Sequence, residues 1–231
     1  MNNSDEQFHM NDKALVVLSG GQDSTTCLYW AIRRFGKGAV SSATFDYGQR
    51  HRVELDAARE VAAEAGVSNV VIPINTFEAL GGNALTDPAV AVPRTVAGGE
   101  ALPATFVPGR NLIFLTFAAA YAWQNDIQHL VAGVAQTDYS GYPDCRRETI
   151  EALEKTLRLG LVRQISIHTP LMNLSKKETV LLAQKLGAMG AMALTHSCYN
   201  GRRPPCGECA ACVLRARGFA EAGIADPLMS A

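Results

Sequence analysis

The amino-acid sequence predicts an α/β protein built on a doubly wound parallel sheet, with a small cysteine-rich region appended at its C-terminal end. Strand-like and helix-like stretches alternate along most of the chain, which argues for a parallel sheet with helices on both faces. A glycine turn separates the first strand from the first helix. Four of the six cysteines crowd between Cys198 and Cys212, where no strand pattern is present.

The first strand runs from Lys13 to Leu18 and carries the apolar run A-L-V-V-L. Ser19-Gly20-Gly21 breaks it, and Leu28, Ala31, Ile32 and Phe35 then recur at helical spacing through Asp23 to Phe35. A second strand is predicted over Ala39 to Phe45, and an alanine-rich helix over Val53 to Ala65, closed by Gly66. Asn69 to Ile74 is the third strand. Leu112 to Trp123 reads as a buried helix, His129 to Val134 as a strand, Arg147 to Leu159 as an amphipathic helix, Gln164 to His168 as the last strand, and Lys176 to Leu186 as a helix after it. In such sheets ligands bind beyond the carboxyl ends of the strands, so the active site is expected there.

With 231 residues the chain is long enough for one sizeable domain and a modest appendage, placed at residues 13–190 and 191–231. Hydrophobic residues make up 48% and charged residues 19%, a balance that suits a chain able to fold alone. A formal net charge of -1 gives no basic footprint for nucleic acid, which favours a small-molecule substrate. No apolar run approaches the roughly 20 residues that span a bilayer, and Met1 to Asp12 lacks the pattern of a signal peptide, so a cytoplasmic location and no membrane partner are expected. Gly81 to Gly109 has no clear period and is expected to serve as a lid or substrate loop, with a plain connection of no further role as the alternative.

Ser19 to Ser24 reads S-G-G-Q-D-S. Its glycines let the backbone approach an anion, and the start of the following helix supplies N–H groups to hold one. It is neither a Walker A loop nor the dinucleotide pattern G-x-G-x-x-G. Asp23 or Ser24 would serve equally as an ordinary helix N-cap.

Cys198, Cys206, Cys209 and Cys212 are spaced C-x7-C-x2-C-x2-C, close enough to meet at one tetrahedral Zn²⁺. A site closed by four thiolates makes that zinc structural, one per chain, and the C-terminal region a zinc-binding one. An iron-sulfur cluster, a pair of redox disulfides or a zinc-ribbon module are the competing readings. Cys27 belongs to the core of the first helix.

The S-G-G-Q-D-S loop resembles the pyrophosphatase loop of the N-type ATP pyrophosphatases. Combined with T-H-S-C-Y-N-G and C-G-E-C-A-A-C-V-L-R-A-R-G-F near the C-terminus, it is similar to the 7-cyano-7-deazaguanine synthase family in particular. F-D-Y-G-Q-R-H from Phe45, F-V-P-G-R-N from Phe106 and D-Y-S-G-Y-P-D-C-R from Asp138 extend the likeness over most of the chain.

The resemblance implies an adenine nucleotide alpha hydrolase-like fold. It also implies an ATP-dependent conversion of 7-carboxy-7-deazaguanine and ammonia to 7-cyano-7-deazaguanine through adenylated intermediates, on the way to queuosine, with Mg²⁺ accompanying ATP. A homodimer is expected. Nothing in the chain is left over for a glutaminase domain, so free ammonia is the expected nitrogen donor.

Under the same resemblance Ser19, Asp23, Ser24 and Lys176 are expected catalytic residues; Arg110, at the head of a helix, joins them as a bidentate holder of the substrate carboxylate or the α-phosphate, with a surface ion pair as the alternative. The nucleotide falls to Leu18, Ser19, Gly20, Gly21, Gln22, Asp23, Ser24, Thr25, Thr26, Cys27 and Leu28, together with Asp46. Asp138, Tyr139, Ser140, Tyr142, Asp144 and Arg146 are expected in the substrate pocket. Lys177 is expected in solvent, Cys145 in a structural role, and His51, His168 and His196 as hydrogen-bonded structural residues. Another pyrophosphatase-loop enzyme, such as a tRNA thiolation enzyme or an amide-forming synthetase, is the alternative among enzymes; a zinc nucleic-acid-binding module is the alternative outside them.

Overall fold

A computed structural model describes residues 12–77, 79, 81–87, 89–92, 102–136 and 142–229. Five strands, β1 (Ala14–Val17), β2 (Val40–Asp46), β3 (Ser68–Pro73), β4 (His129–Val131) and β5 (Ser166–His168), form one sheet in the order β3-β2-β1-β4-β5, every pairing parallel. The chain winds outward from β1 to β3, then crosses back to place β4 on the other side of β1. The strand order therefore reverses between β1 and β4, and a crevice opens beyond their carboxyl ends.

Among the described residues seven α-helices accompany the sheet: α1 (Gln22–Phe35), α2 (Val53–Ala65), α3 (Arg110–Gln124), α4 (Arg147–Leu161), α5 (Lys176–Lys185), the single turn α6 (Met189–Met192) and α7 (Ala210–Ala222). Both faces of the sheet are buried, and period-2 alternation sorts the side chains between them. Ala14 and Val16 of β1 pack with Leu28 and Ala31 of α1 and Val61 of α2. Leu15, with Phe45 and Leu130 from the flanking strands, packs instead on Leu115 of α3 and on Ile150 and Leu157 of α4. No helix among the described residues is long and apolar enough to cross a membrane.

The expected strands and helices are present, with ends shifted by a few residues. The structure adds α6 and α7, which apolar spacing does not announce. In α7 the reason is chemical: its buried face carries Cys212, Arg215, Gly218 and Phe219, a mixture with no apolar period. Arg215 is 5% exposed and spends its guanidinium on the Asp226 carboxylate at 2.7 and 2.8 Å, on Thr195 Oγ1 at 2.7 Å and on the Met192 carbonyl at 3.2 Å. A charge so fully paired can be buried without prohibitive cost. It clamps α7 to the segment that leads into the cysteine cluster.

The two ends of the expected lid are packed rather than free. Asn83 Oδ1 accepts from the N–H groups of Leu85 and Thr86, the Leu85 carbonyl accepts from Arg50 N–H, and Ala84 N–H donates to the Ala104 carbonyl. Residues 88 and 93–101 of this loop lie outside the described residues.

Candidate active site

At the switch point the chain turns from β1 into α1 through Ser19 to Gly21. Gly20 has φ +81°, and a Cβ there would stand 2.4 Å from the Glu54 carbonyl and 2.6 Å from the Ala58 nitrogen of α2, so only glycine fits. Gly133, just past β4, is constrained in the same way: its Cβ would come within 3.0 Å of Ser24 N. The loop is tied internally by Ser19 Oγ and Ser24 Oγ at 3.0 Å, by Gly21 N–H donating to Ser19 Oγ at 3.3 Å, and by Ser24 Oγ donating to the Gly21 carbonyl at 3.1 Å. Gly21 is the N-cap of α1 and offers no side chain to it. The first N–H groups of the helix are thus left for an outside acceptor, the arrangement that favours a phosphate.

Neither Asp23 nor Ser24 caps the helix. Asp23 Oδ2 instead accepts from Lys176 Nζ at 2.6 Å, joining two expected site residues 153 positions apart. Lys176 is held for this contact at the first position of α5. Ser175 and Glu178 form a reciprocal capping box beneath it, and the backbone N–H of Ser175 holds the Glu178 carboxyl below its usual range. Gly218 lets α7 close over the lysine, since a Cβ there would lie 2.9 Å from Lys176 Cβ.

From this loop a single cavity of about 280 Å³ extends to a second, aromatic wall. Phe45 and Tyr47, at and beyond the end of β2, supply it with Phe114 of α3, whose ring stacks on Phe45 at 4.5 Å and tilts against Tyr47 at 5.2 Å. Arg110, the first residue of α3, donates to Tyr47 Oη at 3.2 Å and lies 5.8 and 5.9 Å from the ring centroids of Tyr47 and Tyr142. Burial works against its charge, but the surrounding phenols of Tyr47, Tyr142 and Tyr199 outweigh it, and the guanidinium stays above its ordinary pKa. Burial likewise pushes the Tyr47 phenol up. Among the described residues no carboxylate pairs with Arg110, so a permanent cation faces the cavity supported only by aromatic rings and a phenol.

Leu18, Ser19, Gly21, Gln22, Asp23, Ser24, Arg110, Tyr142 and Lys176 all line this cavity. Gly20 does not, but forms the turn behind it. Thr25, Thr26, Cys27 and Leu28 point elsewhere because α1 turns them into the protein: all four are buried, Thr26 Oγ1 donates to the Gln22 carbonyl, and Cys27 and Leu28 belong to the core.

Asp46 is corrected by the alternation of β2. Phe45 and Tyr47 face α3, so Asp46 faces the opposite way and pairs with Arg52 at 2.7 Å. Asp144 is buried but stands outside the cavity wall, its Oδ2 accepting the Asn111 N–H at 3.0 Å and so holding the start of α3. Arg146 is exposed at the N-cap of α4. Asp138, Tyr139 and Ser140 lie outside the described residues. Tyr142 Oη and Thr105 Oγ1 are 2.6 Å apart. Cys145 also lines the cavity, receiving Asn111 Nδ2 at 3.3 Å.

Among the parts of the wall with no counterpart among the expected site residues are the Phe45, Tyr47 and Phe114 cluster, the pair His51 and Glu54, and His196, Ser197 and Tyr199. The first two follow the motif F-D-Y-G-Q-R-H at a strand's carboxyl end, a position that could have marked them. His196 N–H donates to the Gly20 carbonyl at 2.8 Å, fixing the C-terminal segment to the phosphate loop. Burial lowers the His196 pKa, and its Nε2 lies 3.1 Å from the Cys198 carbonyl.

The cysteine cluster begins two residues later. The sulfurs of Cys198, Cys206, Cys209 and Cys212 all lie within 4.8 Å of one another, and those of Cys206 and Cys212 are 3.9 Å apart. Four thiolates at zinc bond lengths would stand about 3.8 Å apart, so the set fits a tetrahedral metal site. N–H groups support the sulfurs: Asn200 Nδ2 and Cys209 N donate to Cys206 at 3.4 Å, and Cys206 N to Cys198 at 3.5 Å. The hydrogen bond with Cys212 holds the Cys209 thiol down to about 4. None of the six cysteines forms a disulfide.

Comparison with known proteins gives one family over residues 13–223, described as queuosine biosynthesis protein QueC. The chain is 67% identical over 219 residues to a 7-cyano-7-deazaguanine synthase of Chromobacterium violaceum, covering 95% of this chain and 94% of that one. It is 66% identical over 220 residues to a 7-cyano-7-deazaguanine synthase of Laribacter hongkongensis, covering 95% of each. Among solved structures it is similar in fold to the U34-tRNA thiolase NcsA from Methanococcus maripaludis, at 19% identity and a TM-score of 0.50 over 91% of this chain and 65% of that one.

Proposed function

The chain belongs to the queuosine biosynthesis protein QueC family, and we propose that it converts 7-carboxy-7-deazaguanine and ammonia to 7-cyano-7-deazaguanine at the expense of ATP. One observation carries the reading at the level of geometry. A single cavity joins an anion-binding loop, with its Asp23–Lys176 pair, to an aromatic wall bearing the uncompensated cation Arg110. A nucleotide triphosphate and a flat, anionic base are the two ligands such a cavity would bring together.

A carboxylate resists ammonia because its oxygens leave poorly. Attack of the base carboxylate on the α-phosphorus forms an acyl adenylate and releases pyrophosphate, and ammonia then displaces AMP to give the amide. The amide oxygen, activated by a second ATP, leaves as AMP and gives the nitrile. The N–H groups of Gly21 to Ser24, the hydroxyls of Ser19 and Ser24, and Lys176 would hold the departing pyrophosphate, while Arg110 orients the base carboxylate. Leu18 and the loop from Ser19 to Ser24 would seat the nucleotide, and Tyr142 the base.

Asp23 Oδ1 is buried and has no hydrogen-bond partner, so it fits Mg²⁺, which favours carboxylate and phosphate oxygens. Bound there, Mg²⁺ would neutralise charge on the phosphates. Zinc would sit in the four-cysteine cluster in a structural role. The substrates are small molecules, and a net charge of -1 supports an active unit that does not engage nucleic acid. We take that unit to be a cytoplasmic homodimer; the free thiols support the reducing compartment.

The test is incubation of the purified protein with Mg²⁺-ATP, ammonia and 7-carboxy-7-deazaguanine, reading base and nucleotides by mass spectrometry. Nitrile accompanied by AMP is the expected outcome. AMP without change in the base would remove the substrate assignment.

A further inference from the structure

We infer that His51, oriented by Glu54, is the general base that takes the proton from ammonia as it attacks the acyl adenylate, an inference that rests on the reaction proposed above. Both residues line the cavity. His51 Nε2 lies 2.9 Å from Glu54 Oε2, and the two side chains are only 5% and 14% exposed. A carboxylate at that distance fixes the proton on Nε2, which leaves Nδ1 as a lone pair. That Nδ1 is buried and has no hydrogen-bond partner. A buried acceptor left unmet costs on the order of 1–3 kcal/mol, a cost that a bound donor would recover.

Glu54 is committed to this task rather than to reading the base. Its second oxygen accepts from Gln49 Nε2 at 3.0 Å, and Gln49 is itself fixed by donating to the Phe45 carbonyl at 3.1 Å and accepting from Tyr47 N–H at 2.8 Å. The residues that form the aromatic wall therefore also set the histidine. On the far side Gly201 allows close approach, since a Cβ there would stand 3.2 Å from His51 Cα, and the Tyr199 ring lies 6.0 Å away.

In the step assigned, the ammonia nitrogen forms a bond to the acyl carbon, the bond from that carbon to the AMP oxygen breaks, and AMP leaves with the electron pair. One N–H proton passes to His51 Nδ1, and the resulting imidazolium is stabilised by Glu54. No redox change occurs, and the proton returns to solvent after product release.

The experiment compares two half-reactions in wild type, His51→Asn and Glu54→Gln. Adenylation is read as base-dependent exchange of labelled pyrophosphate into ATP without ammonia, and amide formation as single turnover with ammonia. The amide-forming step should fall about 100-fold more than exchange in His51→Asn, and less severely in Glu54→Gln. Hydroxylamine, a nucleophile that needs less help from a base, should narrow the deficit. Equal losses in both half-reactions, or no selective loss of amide formation, would overturn the assignment and leave the pair a pyrophosphate-holding or structural role. Absence of exchange in the wild type would instead strike the proposed reaction itself.

Discussion

The two ends of the cavity are built in opposite ways. The phosphate end is a contiguous run of backbone, Ser19 to Ser24, whose geometry comes from one φ > 0 glycine and a helix start without a side-chain cap. The base end is assembled from the end of β2, the first turns of α3 and Tyr142, and its key group Arg110 is placed by topology. An anion can be held by main-chain N–H groups, which any short motif can present. A flat base needs ring faces, and only distant elements can bring several together. The ends should therefore fail differently when broken.

The largest effect belongs to the backbone. Gly20→Ala should abolish adenylation, by about 1,000-fold or more, because the new methyl meets the Glu54 carbonyl at 2.4 Å and the loop must move off its phosphate geometry. Pyrophosphate exchange checks this, with a circular dichroism spectrum to establish folding.

Next come the charges, which separate the two ends. Lys176→Met should lower the exchange rate at saturation about 100-fold with little change in KM for the base, the outcome that follows from the proposed role of the lysine at the phosphates. Arg110→Gln should raise KM for the base by a comparable factor and leave the KM for ATP within about threefold, the outcome that follows from the proposed bidentate contact with the carboxylate. Steady-state kinetics in both substrates would distinguish these patterns, and an exchange of the two would redraw the cavity.

A smaller effect is expected on activity but a clear one on stability from the cysteine cluster. Wild type should carry one zinc per chain, measured by atomic emission, and Cys209→Ser should lose it and lower the unfolding midpoint by about 5–10 °C. The smallest changes should come from Asp46→Asn and Arg146→Ala, whose side chains do not line the cavity. Both should keep kcat/KM within about twofold of wild type, as exposed pairs and solvated charges contribute little.

The same contrast explains what was legible in the sequence. The sheet, its helices and the phosphate loop follow from periodicity and from six adjacent residues, because each is encoded locally. The spacing of four thiols was equally local. The aromatic wall is not: Asp46 closes the second strand and has the chemistry of a site residue, whereas strand alternation sends Phe45 and Tyr47 to the cavity and Asp46 to Arg52. Asp144 has the hydrogen-bonding chemistry of a pocket residue but spends it on Asn111 N–H at the start of α3. In sequence His51 is a lone histidine, and the fold pairs it with Glu54. α7 escaped because its buried face is built around Arg215 and Gly218.

The central claim is that one cavity activates the same carbon twice, each time through its oxygen and the α-phosphate of ATP. The most direct measurement uses 7-carboxy-7-deazaguanine labelled with ¹⁸O at both carboxylate oxygens and follows the label by mass spectrometry. Two molecules of AMP per nitrile, each carrying one ¹⁸O, is the result this account predicts. Label appearing in phosphate, or AMP released without label, would contradict it.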